Sequence, residues 1–443
     1  MRLPFVPGSL ARRLVCTTLG SAGVRIAGMA VTFLCGVQLA RYLGPEQYGS
    51  YGLVISVVAI VVVVATLGAP PLATRELAVS SVRKRWSELN GFLLWSFALV
   101  TATSTAAAVL FAYRIDLVES LGRGHQGLEP KVAILIPILA LTSLTAAILR
   151  GFGVIVGGQS LDTLVRPALL SAGLLAVWLF THALDAGQAL MIHAAAGLVT
   201  LAVSLAWVAA ARPREASGFP PAVTARRWFR SAVPMGSTDL LRVIEGNATV
   251  ILISAIVSAG DLGVFRVAVS SAAFLSMPYA LFSMVAAPIV PRLYADGDMA
   301  RLQKTATAMA LVASAVTAAL LVVLYALGPA AIEFLFGVAY RDAWLPLMLL
   351  GVAQLIIAAF GISPTILNAT DDEFFLMASY AISLVIMIGA ILLLTVNYGI
   401  MGAAWGVIAG VLLRGVLLNV RVRRRLNVEA SLLSVVVNRM KPK

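Results

Sequence analysis

The chain has 443 residues, 60% of them hydrophobic and only 12% charged, with a mean hydropathy of +0.96 and a formal net charge of +13. An ordinary soluble domain carries roughly 25% charged residues, so a soluble globular protein is excluded and an all-α, polytopic membrane protein is expected. The positive balance does not indicate nucleic acid, because the basic residues fall in short loops between apolar runs, where membrane topology places them.

Arg2, Arg12 and Arg13 precede the first apolar run, which continues through Arg25 to about Ala40. That is too long for the apolar stretch of a signal peptide, so it reads as the first span. Cys16 and Cys35 lie on this one helix about 28 Å apart at 1.5 Å per residue, too far to bond to each other. Further spans fall at roughly 48–69, 89–113, 132–150, 163–183 and 187–211, then 231–257, 262–290, 305–328, 344–366, 374–396 and 399–420, with ends uncertain by a few residues. The total is about twelve. With the N-terminus inside, the inner segments hold twenty-four Lys and Arg and the outer loops five: Arg41, Arg114, Arg123, Lys131 and Arg341. This asymmetry places both termini in the cytoplasm. The inner loop at 371–373, Asp-Asp-Glu, carries no basic residue and stands outside the pattern.

The two halves run in parallel. Tyr48–Val54 aligns with Leu262–Ala268, Thr74–Ala78 with Pro291–Ala295, and Gly187 with Gly399, in the same order along the chain. Six spans per half is an even number, so the repeats share an axis along the membrane normal, and transporters built this way bind near the midplane. The expected organisation is a six-helix lobe at 1–211, a cytoplasmic linker at 212–230, a second six-helix lobe at 231–420 and a basic cytoplasmic tail at 421–443. The longest hydrophilic segments, 114–131 and 212–230, leave no room for a soluble catalytic domain, which argues against a membrane enzyme of polysaccharide assembly.

The span at 231–257 is unlike the rest. Asp239, Arg242 and Glu245 sit inside it three residues apart, so they form one ridge on a helix. A charge at that depth costs at least about 2.5–3.5 kcal/mol. Such a ridge either lines a transport pathway or forms a self-neutralising ion pair that locks two helices. Arg25, Arg266 and Arg414 are the other basic residues within spans. Arg25 and Arg242 lie too deep to reach an interface, whereas Arg266 and Arg414 are near enough to helix ends to snorkel. All four are candidate substrate contacts, with Asp239 and Glu245 as candidates for ion pairing or coupling. A carboxylate half out of water holds its proton more tightly, but a neighbouring arginine opposes that.

Other signals are bland. Gly151–Gly153 has no preceding strand and no following Lys-Ser/Thr, so it is not a nucleotide loop. Asn247–Thr249 matches a glycosylation sequon within a span. His125 and His182 are expected in loops, His193 alone on an Ala-rich helix, and Gln354 and Asn368 as helix-to-helix hydrogen bonders. Trp86, Trp95, Trp228 and Trp344 fall near span ends, as interface anchors do. No cofactor and no metal are expected.

The turn Leu43–Gly52 (LGPEQYGSYG), the segments Leu67–Pro70 and Thr74–Ala78, and the late Tyr398–Ala404 (YGIMGAA) resemble those of bacterial polysaccharide-repeat flippases of the Wzx type. These belong to the superfamily of multidrug, oligosaccharidyl-lipid and polysaccharide exporters. The resemblance spans the chain and rests on structural turns. It implies a V-shaped, MATE-like fold of two lobes in the bacterial cytoplasmic membrane. It also implies that undecaprenyl-diphosphate-linked repeat units are moved to the outer leaflet by alternating access through a cationic central cavity. Asp239 or Glu245 is the candidate for coupling to a proton or sodium gradient, opposed by the neighbouring Arg242, and membrane lipids and polysaccharide polymerase or assembly proteins are the candidate partners. Arg25 and Arg242 fit such a cavity physically, since a guanidinium fork suits phosphate oxygens. The alternative of the same fold is an ion-coupled multidrug or cation antiporter, for which a carboxylate-dominated cavity is expected.

Overall fold

A computed structural model describes residues 9–113, 129–370 and 372–432. Arg2, Arg114, Arg123 and His125 lie outside them. The described residues are helical and contain no strand. In chain order the helices are α1 (Ser9–Thr66), α2 (Ala69–Val82), α3 (Trp86–Tyr113), α4 (Glu129–Gly151), α5 (Ile155–Thr181) and α6 (Ala186–Ala211). They continue as α7 (Ala225–Ser254), α8 (Ala259–Leu275), α9 (Met277–Ala295), α10 (Met299–Leu327) and α11 (Pro329–Phe336). The last are α12 (Trp344–Ala359), α13 (Ser363–Ala369) and α14 (Glu373–Leu426).

Eight of these helical stretches are long and apolar enough to cross a membrane, and the α8–α9 pair, bent by 44°, adds one more. Two of the eight are double. In α1 the backbone leaves the helix at Gly44 (φ 74°) and in α14 at Gly399 (φ 55°), so each holds two spans joined through one residue. Glycine adopts positive φ without steric cost, and Pro45, with its fixed φ, then suits the first turn of the next span. The remaining span is α7. It is long enough to cross, but Asp239, Arg242 and Glu245 lie within its apolar part and lower its hydropathy below that of the other spans. Counted this way, the described residues hold the expected twelve.

The boundaries differ from expectation at three places. The fifth span starts at Ile155 and carries a π-helical turn at Leu161–Val165. Gly28 of α1 presses on that turn: a Cβ there would lie 2.2 Å from the Thr163 carbonyl oxygen. The tenth span ends at Ala359, and a separate short helix, α13, follows. The 212–230 linker is partly helical, since α7 begins at Ala225.

The described residues form two compact units. Unit 1 gathers those up to Gln38, from Val57 to Tyr113, and from 129 to Val243; unit 2 gathers Leu39–Ser56 and those from Ile244 onward. These cuts differ from the lobe boundaries expected at 211 and 231, and packing gives the reason. Within unit 2, residues 39–56 dock on second-half elements. Gly49 meets the Ala259 carbonyl and Gly263 meets that of Pro45 so closely that no Cβ fits at either. Tyr340 donates to the Ala40 carbonyl at 2.8 Å, and Arg41 donates to the carbonyls of Phe334 and Leu335 at the end of α11.

Within unit 1 the start of α7 docks on first-half elements. Gly68 and Gly236 touch backbone to backbone. Trp228 is 1% exposed and packs edge-on against Phe92, with Trp95 5.4 Å away. Trp228 is therefore a core residue, and Trp95 packs against it, where interface anchors were expected. Full burial of an aromatic ring repays about 1.5–3 kcal/mol in transfer free energy, enough to hold the linker end of α7 on this unit.

Candidate functional site

The candidate charged groups divide between the two units. Unit 1 holds Arg25, Asp239 and Arg242; unit 2 holds Glu245, Arg266 and Arg414.

In unit 1, the first half of α1 is fixed against α5 by Gly28 at the π turn and by the Gln159 side chain, which donates to the Ser21 carbonyl at 3.2 Å. Arg25 lies between those contacts in sequence and is exposed. Among the described residues it forms no ion pair. On α7, Asp239 is half-buried and has Arg242 as its charge partner, three residues on, as the spacing predicts.

In unit 2, Glu245 has a partner on another helix. It accepts a hydrogen bond from Nη1 of Arg414, which reaches it from α14. Both side chains are largely desolvated, at 18% and 12% exposure. The Arg414 guanidinium also stacks on the Tyr380 ring, 4.7 Å from its centre, a cation–π contact. Arg414 is thus engaged from two sides within its own unit. It is the helix-locking ion pair that the ridge could have been, made across 169 residues of sequence.

Arg266, on α8, is the contrast. Its stem runs over Gly52, where an added Cβ would meet the side chain at 3.0 Å, and its Nη1 donates to the Ser56 hydroxyl at 3.0 Å. The residue is half-buried, and no carboxylate pairs with it among the described residues. Sequence reasoning missed Gly52 and Ser56. Two small residues four apart, one of them a hydroxyl, were the available signal, since i and i+4 share a helix face.

The 371–373 segment also finds its account. Asp372 accepts hydrogen bonds from Arg421 Nε at 2.7 Å and Arg425 Nη1 at 3.0 Å. The Arg421 hydrogen bond holds the Asp372 carboxyl below the ordinary aspartate range, with Arg425 adding to the effect. The acid is neutralised by the basic end of α14. Unit 1 has its own network, in which Arg227 bridges Glu76 at 2.8 Å and Glu88 at 3.5 Å.

Over residues 17–294, more than half of its length, the chain matches the family described as polysaccharide biosynthesis protein. The chain belongs to the polysaccharide biosynthesis protein family. No curated protein sequence matches it. Among solved structures it is similar to an inward-facing multidrug resistance MATE family transporter of the MOP superfamily. That match has 15% identity and a TM-score of 0.75, and covers 95% of this chain and 100% of the other. It is also similar to the lipid II flippase MurJ in an inward closed conformation, at 13% identity and a TM-score of 0.70, covering 97% of this chain and 94% of that one. A third neighbour is a MOP superfamily transporter from Pyrococcus furiosus, described as having a binding pocket of reverse polarity that suggests a different function. Its identity is 15% and its TM-score 0.62, with 93% and 95% of the two chains covered. At these identities the likeness establishes the fold: the family member has the MATE-like, all-α architecture of MOP transporters.

Proposed function

We propose that this family member is a flippase for undecaprenyl-diphosphate-linked oligosaccharide repeat units. It would act in the bacterial cytoplasmic membrane with both termini inside, by alternating access. The observation that carries the reading is Arg266. It is a half-buried cation whose one side-chain partner among the described residues is a neutral hydroxyl. An uncompensated charge within a span is expensive, and proteins keep such groups for substrates or ions. A guanidinium fork offers paired donors to phosphate oxygens, replacing water that a diphosphate sheds on leaving solvent. Arg25 offers a second such group in the other unit.

The antiporter reading is weaker on the same grounds. A cationic substrate calls for an available carboxylate, and Glu245 is committed to Arg414 while Asp239 has Arg242 beside it. Asp239 remains the candidate for coupling to a proton or sodium gradient. A polymerase or other assembly protein would take the flipped unit onward.

The test is reconstitution of the purified protein in liposomes carrying an undecaprenyl-diphosphate-linked oligosaccharide in one leaflet. A glycosidase added outside should gain access to the sugar only with the protein present. In cells, deletion should trap the lipid-linked units at the inner leaflet and remove surface polysaccharide. Efflux of a cationic dye with no movement of the lipid-linked sugar would overturn the proposal in favour of the antiporter.

A further inference from the structure

We infer that the start of α7, with the chain leading into it, is a binding site for the headgroup of an anionic phospholipid. The helix here has two faces. Trp228 and Ala232 are buried in unit 1, whereas Arg226, Phe229, Arg230 and Val233 are exposed. The last four follow the i, i+3, i+4, i+7 spacing of one helix stripe, so cations and apolar groups alternate along a single outward face. The chain ahead adds Phe219 and Val223, both about half exposed. Val223, Thr224, Arg226, Arg227, Arg230 and Ser231 line a shallow hollow of about 850 Å³ that is open to solvent. An open hollow of this kind leaves a phosphate-bearing headgroup free to reach the guanidinium groups from the membrane side.

The arginines here are not equivalent. Arg227 is tied to Glu76 and Glu88, and Arg212 donates to the Asn90 side chain at 2.8 Å. Arg214, Arg226 and Arg230 form no ion pair among the described residues. Two uncompensated cations, Arg226 and Arg230, therefore stand beside an apolar rim at the start of a span. A soluble acidic partner would match the charge but would leave Phe219, Val223 and Phe229 exposed. A phospholipid matches both, its phosphate taken by the guanidinium groups and its glycerol and upper chains by the apolar rim. The inference does not depend on what the protein transports.

The experiment uses the full chain in nanodiscs of phosphatidylcholine with increasing phosphatidylglycerol, followed by native mass spectrometry of the retained lipid. Wild type should retain phosphatidylglycerol selectively. Each basic residue near an anionic surface contributes about fivefold, so R226Q/R230Q should weaken retention by about 25-fold and R226K/R230K should restore most of it. A photo-crosslinker at Val223 supplies a readout that does not depend on those variants folding. In wild-type protein it should capture phosphatidylglycerol. Retention that R226Q/R230Q leaves unchanged at equal melting temperature, or a Val223 crosslink that lands on a protein, would overturn the inference.

Discussion

Arg266 and Arg414 belong to the same compact unit and to spans of similar hydropathy, yet they have opposite surroundings. Arg414 has a carboxylate and an aromatic face; Arg266 has a serine hydroxyl and a glycine groove. The first arrangement closes an electrostatic account within the protein and holds α7 to α14. The second leaves a charge without a carboxylate among the described residues. An arginine inside a span is thus not by itself a sign of a ligand. Its partners decide.

The contrast can be broken in four ways. The largest effect is expected from R266A. Truncating one side of a desolvated charge contact costs about 2–5 kcal/mol, so lipid-linked oligosaccharide transport in liposomes should fall by roughly 30-fold or more. Its melting temperature should stay near that of wild type. A normal transport rate would place Arg266 with Arg414 as a structural group. Next is E245Q, which strands Arg414 in a dry site. Removing one partner of a buried pair costs about 3–5 kcal/mol, visible as a lower melting temperature in detergent. Replacing both members by leucine should recover most of that loss. If E245Q instead melts normally and stops transport, the pair is part of the pathway.

S56A is expected to do less. A hydrogen bond to a charged group contributes about 1.5–3 kcal/mol, part of which water can replace, so transport should slow by several-fold through misplacement of the Arg266 guanidinium. The smallest effect concerns Asp372, whose carboxyl is depressed by Arg421 and Arg425. A depressed carboxylate stabilises the fold above the ordinary aspartate pKa, about 3.9, and the contribution is lost as pH falls through the lower folded value. Wild type should lose thermal stability on acidification below about pH 4, and D372N should show a shallower loss. Parallel slopes would mean the Asp372 contacts contribute nothing.

Much of the architecture was legible in the sequence. Apolar run lengths yield twelve spans, and Gly44 and Gly399 mark two of the joints because only glycine takes their backbone angles without cost. Charge depth singles out Arg25, Asp239, Arg242, Glu245, Arg266 and Arg414 as the groups that need explanation. Periodicity within one helix pairs Asp239 with Arg242. It cannot pair Glu245 with Arg414, because that contact is set by packing of elements far apart in the chain. For the same reason it leaves Ser56 anonymous, and it assigns Trp228 to an interface when it fills a core, with Trp95 packed against it. The docking of residues 39–56 on the second half was equally hidden, since it rests on glycines whose only message is the absence of a side chain.

The one-residue joints at Gly44 and Gly399 also bear on how this protein can move. A long loop would let its two spans slide or spin independently. A hinge made of one backbone step has no slack, so a tilt of either span is handed directly to its neighbour. The two spans of each pair are therefore tied at their shared end, with no loop there to absorb a relative shift.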